Sequence, residues 1–154
     1  MKKILTLGTI TTKDKILLGM KKRGFGEGRW NGFGGKLEEG ESVEDGMKRE
    51  MFEESGVKVE EMEKRGIINF IFTKDQKEMQ VHIYKITKYT SDSIETEEMK
   101  PQWFELTKIP YEQMWPDDKI WMPLFLTNKY FSGNVYFLDA NTIMKHDIKE
   151  VEKL

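Results

Sequence analysis

The chain has 154 residues, 34% charged and 38% hydrophobic, with a formal net charge of -2 and no cysteine. That length suits a single compact domain over residues 1–154 with a real hydrophobic core. The balanced charge, without a basic stripe, argues against a nucleic-acid partner. The lack of cysteine excludes disulfides and thiolate metal sites, in keeping with a reducing, cytoplasmic setting.

The first twenty residues, MKKILTLGTITTKDKILLGM, weigh a signal peptide against a hairpin. The apolar run is short, is broken by Thr and Gly, alternates as a strand does, and is followed by Lys13, Asp14 and Lys15. We read strands at 4–10 and 15–20 joined by a turn at 11–14. Residues 21–30 (KKRGFGEGRW) form a loop whose glycines do not fit GxGxxG, and no helix opens after them. A helix is predicted over 42–55. Ser42 caps it and Asp45, three residues on, completes a capping box. Glu44 and Asp45 meet the positive end of the helix dipole, and Gly56 stops it. The β-rich runs 67–72 and 79–86 flank a polar turn at 73–77 and read as a second hairpin. A polar loop at 88–96 precedes a short strand at 99–104. A second helix is predicted over 117–128, with Trp121, Leu124 and Phe125 as its buried stripe. Runs 135–138 and 142–151 close the chain as strands. The order β-β-α-β-β-α-β predicts an α+β sandwich with a mixed sheet between helices. No segment is long and apolar enough to span a bilayer, so no membrane partner is expected.

The densest chemistry lies between Gly35 and Val57, GKLEEGESVEDGMKREMFEESGV. Glu53 and Glu54 lie three and four residues beyond Glu50, so all three carboxylates fall within an arc of about 100° on one helix. Like charges at that spacing repel, and a magnesium ion would remove the repulsion while leaving positions for water and phosphate oxygens. Arg49, four residues before Glu53, can steady it by a salt bridge. A solvated charged face is the plainer reading, but it leaves the bracketing glycines and the apolar Met51 and Val57 without a role.

These spacings match GX5EX7REUXEEXGU, where U is bulky and apolar, without departure. The chain is thereby identified as resembling the Nudix hydrolases. LLGMKKRGFGEGRWNGFGGK at 17–36 and MWPDD at 114–118 resemble one branch of that family, the animal-type MutT homologues, which remove oxidised purine nucleoside triphosphates. The likeness runs almost end to end and is weakest over 134–146. The resemblance implies the Nudix α/β/α sandwich. It implies a metal, Mg2+ or alternatively Mn2+, held by the Gly34 carbonyl, Glu50, Glu54 and Glu98 with help from Glu53. It implies attack of water on the phosphate chain, releasing nucleoside monophosphate and pyrophosphate, with Glu50, Glu53, Glu54 and Arg49 as the catalytic group. The residues themselves do not say which glutamate is the base. Glycines at 34 and 35 let the backbone bend and present a carbonyl, a hard ligand.

The resemblance also implies a purine pocket of Asn31, Trp115, Asp117 and Asp118. Trp115 offers a stacking face, and Asn31 both a donor and an acceptor. The aspartates have a second reading as caps of the helix they open. If both carboxyls line the pocket, repulsion and burial keep one protonated, and the pair can read different purine edges. Phe25, Phe70, Met79 and Trp121 are expected as pocket wall, with Thr6, Phe72 and Lys21 as further contacts. His82 and His146 lack a metal-ligand pattern. A nucleotide-binding monomer is expected. Two other readings stay open: a Nudix hydrolase of another nucleoside diphosphate compound, and a Nudix-fold binding module without turnover.

Overall fold

The computed structural model describes residues 2–154. Strand β1 (Lys2–Thr9) runs parallel to β5 (Lys77–Thr90), not beside its neighbour in sequence. β2 (Lys15–Lys21) instead lies in a separate antiparallel sheet between β3 (Trp30–Asn31) and β6 (Met99–Glu105). The expected first hairpin is therefore corrected. Between the two segments only the bridge Thr11–Ile16 forms, and the chain crosses from one sheet to the other there. Both β1 and β2 carry buried residues on each face, which a two-stranded hairpin cannot cover.

Helix α1 (Val43–Ser55) starts at Ser42, whose hydroxyl accepts from the Asp45 N–H at 3.1 Å. This is one arm of the expected capping box; the hydrogen bonds of the described residues contain no return bond from the Asp45 side chain. Gly56 ends the helix in the left-handed region (φ 77°), its N–H donating to the Phe52 carbonyl. Met47, Met51 and the pair Glu54–Ser55 are the buried stripe, spaced four and then three or four apart. The stripe thus carries Glu54 inward with the methionines.

The second hairpin pairs β4 (Lys58–Phe72) with β5, each several residues longer than the apolar runs suggest. The main sheet has the order β1-β5-β4-β7-β8, mixed parallel and antiparallel, where β7 is Tyr130–Asp139 and β8 is Thr142–His146. The expected last strand is two: β8 and β9 (Lys149–Val151) both pair with β7. Asp147 causes the break, its carboxylate taking the Asn134 N–H at 2.6 Å.

Helix α2 (Asp118–Leu126) is shorter than predicted and buries Trp121, Met122 and Phe125. The two helices cover opposite faces of the main sheet. Along β5, Val81 and Ile83 join the cluster containing Trp121 and Phe125, whereas Tyr84 and Ile86 join the cluster containing Met47 and Met51. Period-two alternation thus sorts one strand between two cores, the α/β/α arrangement expected.

Candidate active site

The end of α1 forms the acidic side of the site. Arg49 is its hub. The guanidinium grips Glu41 with two bonds of 2.8 and 3.0 Å, and Nη1 donates to Glu50 at 2.9 Å and to Glu53 at 3.2 Å. Nη2 also donates to the Lys36 carbonyl at 3.1 Å, which ties the helix to the glycine segment. The bidentate Arg49 pair and the Glu38 N–H hold the Glu41 carboxyl down at about 2. Glu41, a motif position with no assigned task in the sequence, is the anchor of Arg49.

Glycines 34 and 35 are required by close approach. A Cβ at Gly34 would lie 1.8 Å from the Thr6 carbonyl oxygen, and one at Gly35 would lie 2.8 Å from the Glu50 carboxylate. The Thr6 N–H binds the Gly35 carbonyl at 2.9 Å, while among the described residues no hydrogen bond reaches the Gly34 carbonyl. The Gly34 N–H donates to Glu54 Oε1 at 2.9 Å. Glu54 is only 4% exposed, and burial raises its carboxyl to about 7 against the pull of Gly34 and Lys21. Burial also raises Glu50, opposed by Arg49. Lys21 Nζ sits 3.4 Å from Glu54 and 3.6 Å from Glu98. Glu98 is held below its usual range first by Arg23, whose Nε and Nη2 donate at 2.8 and 2.6 Å. Lys21 thus brings Glu98, 44 residues along the chain from Glu54, to the same place. Among the described residues, no three acidic or histidine side chains are already gathered as a metal cage.

A cavity of about 440 Å³ opens from this corner. Lys21, Gly34, Gly35 and Glu54 line one end; Asn31, Trp115, Asp117 and Asp118 line the other. Thr6, Phe70, Phe72 and Met79 line it as well. Phe25, 62% exposed, stands at the rim and stacks on Trp115 with centroids 4.9 Å apart. Arg49, Glu50, Glu53 and Glu98 stand outside the cavity lining, at its acidic edge. Trp121 also does not line it. It is buried in the core behind, where its indole N–H donates to Asp117 Oδ2 at 2.8 Å. Sequence reading missed Lys3, Lys36 and Lys77, which line the cavity; isolated lysines in polar turns and strand ends carry no signal of a shared mouth.

The capping reading of the aspartates does not hold. Asp117 occupies the N-cap position with helical backbone angles and makes no side-chain cap bond. Its carboxylate is turned to Trp121 instead. Asp118 is 2% exposed, and its Oδ2 has no hydrogen-bond partner. Burial and then the neighbouring Asp117 charge push the Asp118 carboxyl well above its ordinary value; burial raises Asp117 too. Sharing one proton would relieve the repulsion within the pair, and the unpartnered Asp118 carboxyl stands at the cavity wall.

Residues 3–125 match the NUDIX domain model. The chain is 48% identical over 150 residues to the oxidized purine nucleoside triphosphate hydrolase of Mus musculus, covering 97% of this chain and 96% of that protein. It is 47% identical over 152 residues to the protein of the same name from Danio rerio, covering 99% and 97%. In structure it resembles a MutT protein from Bacillus halodurans at a TM-score of 0.85, with 24% identity over 96% of this chain and 97% of that one. With the box geometry on α1 and these matches over nearly its whole length, this chain belongs to the Nudix family.

Proposed function

We propose that this chain hydrolyses oxidised purine nucleoside triphosphates, such as 8-oxo-dGTP and 2-hydroxy-dATP, to the monophosphate and pyrophosphate, and so clears damaged nucleotides from the precursor pool. The observation that carries this reading is that one cavity is lined both by a glycine–glutamate corner and by Asn31, Trp115 and the aspartate pair. The identity to the mouse and zebrafish hydrolases, whose names give this substrate class, supports it.

Nudix hydrolases generally use divalent metal ions, and the donors here fit Mg2+. The Gly34 carbonyl, Glu50 and Glu54 are hard oxygen donors, with Glu53 and Glu98 beside them. Mg2+ keeps several waters and binds through one or two carboxylates plus substrate phosphates, so a ready-made protein cage is not required. Bound there, the ion would supply charge neutralisation on the phosphates and a more acidic water. The chain's own residues do the rest. Arg49 holds Glu50 and Glu53 against their mutual repulsion. One of the box glutamates would take the proton of the attacking water. Lys21 reaches the phosphate chain from the Glu54–Glu98 side. Trp115 stacks on the purine, Asn31 meets one edge, and Asp117–Asp118 meet another through one donor and one acceptor.

The test is pyrophosphate and monophosphate release with Mg2+ from 8-oxo-dGTP, 2-hydroxy-dATP and dGTP in parallel. A higher kcat/KM for both oxidised substrates, abolished by a chelator and restored by Mg2+, is the expected outcome. Equal rates on all three would remove the preference for damaged bases, and lack of turnover would overturn hydrolysis of these substrates.

A further inference from the structure

Arg29 lies in the glycine-rich loop just before β3, outside the cavity lining. Its guanidinium carbon sits 4.2 Å from the Trp115 ring centroid. Nη2 donates to Asn141 Oδ1 at 2.5 Å, a side chain 112 residues away in the turn between β7 and β8. That turn is itself braced, the Asn141 N–H donating to Asp139 at 2.9 Å. Nη1 is buried without a hydrogen-bond partner, and the Arg29 charge acts through space on both Asp117 and Asp118. Trp115 is hemmed in further by Phe25 and by Gly26, where a Cβ would meet the indole nitrogen at 3.2 Å.

We propose that Arg29, tethered by Asn141, is a positioning residue for purine recognition: it fixes the plane of Trp115, and its charge acts through space on the Asp117–Asp118 pair. The inference rests on the purine reading of the cavity given above. A stacking platform selects a base only when its plane is held, because a tilt moves every hydrogen bond at the base edge. A planar guanidinium over an indole supplies that hold, and lysine cannot reproduce its flat contact or its fork. The charge has a separate effect. The groups facing the aspartate pair are Arg29 and Tyr111, with the Trp121 indole as a neutral donor. Arg29 favours ionisation of the pair against burial, so its loss extends the protonated form to higher pH.

The two effects separate in equilibrium binding of the monophosphates 8-oxo-dGMP and dGMP, titrated by calorimetry across neutral pH without metal. Wild type is expected to prefer 8-oxo-dGMP. Arg29→Lys keeps the charge and loses the flat contact, so it weakens 8-oxo-dGMP by about threefold with an unmoved pH profile. Asn141→Ala, on an exposed turn where folding is not at stake, loses the tether with the same result. Arg29→Met weakens binding by about tenfold and moves the pH profile upward. Wild-type preference that survives intact in Arg29→Met, or weakening of both ligands alike with an unmoved profile, would overturn the role of Arg29. Absence of any preference in wild type would overturn the purine reading, and this inference with it.

Discussion

The two ends of the cavity are built on opposite electrostatic plans. At the box end, charges are many and paired and, apart from the buried Glu54, partly exposed: Arg49 alone engages Glu41, Glu50 and Glu53. At the base end, charges are few, buried and short of partners, with Asp118 Oδ2 left free. The first plan suits a polyphosphate and its cation, where like charges need to be held in place until counter-charge arrives. The second suits a neutral base, where a carboxyl must stay protonated to donate. The difference teaches that burial and neighbours, not residue type, set the electrostatic state of each carboxyl here.

The sharpest break of this comparison is Glu54→Gln, which keeps shape and removes the buried acid at the box end. A fall in kcat of about 10²- to 10⁴-fold with folding intact is expected, read by pyrophosphate release and circular dichroism. Asp118→Asn attacks the other end. It should change the ratio of kcat/KM for 8-oxo-dGTP and 2-hydroxy-dATP on the order of tenfold while sparing kcat on the better substrate. It should also alter stability. The folded Asp118 carboxyl lies above its ordinary value of 3.8, so its contribution is full below that pH and is lost as pH rises through the folded value. Urea unfolding of D118N should therefore decline less with rising pH than that of wild type. Glu41→Gln tests whether Arg49 needs its anchor, and kcat should drop several-fold with KM nearly unchanged. Here the sign is opposite: Glu41 is lowered from 4.5 to about 2, so its contribution is present above 4.5 and lost as pH falls toward 2. An acid titration that leaves E41Q and wild type parallel would remove the anchor role. The smallest effect is expected from Phe25→Ala at the exposed rim, about a two- to threefold rise in KM. A larger rise would make the rim a structural part of the base site and weaken the contrast between the ends.

The box end was legible because its chemistry is local. Ser42, Glu50, Glu53, Glu54 and Gly56 lie on one helix and its caps, where a rotation of about 100° per residue turns spacing into geometry. The mixed sheet between helices was legible from alternation and element order. Strand partners were not: β1 pairs with β5, 76 residues on, and nothing in either run names the other. Trp121 was misplaced for a related reason. Its helical spacing gives a buried stripe, but not which wall of the core it supports. Arg29 carried no signal at all, since its meaning comes from Trp115 and from Asn141 far along the chain.

By itself, then, the sequence determined the acidic helix, its caps, its bracketing glycines and the family to which the chain belongs, because backbone periodicity and local sterics act over a few residues. Only the tertiary structure decided that Asp117 and Asp118 face a cavity and do not cap a helix, that Trp121 stands behind that cavity, and that Glu98 reaches the box through Lys21. Burial and long-range charge set those roles, and both depend on which distant segments the packed sheet brings together.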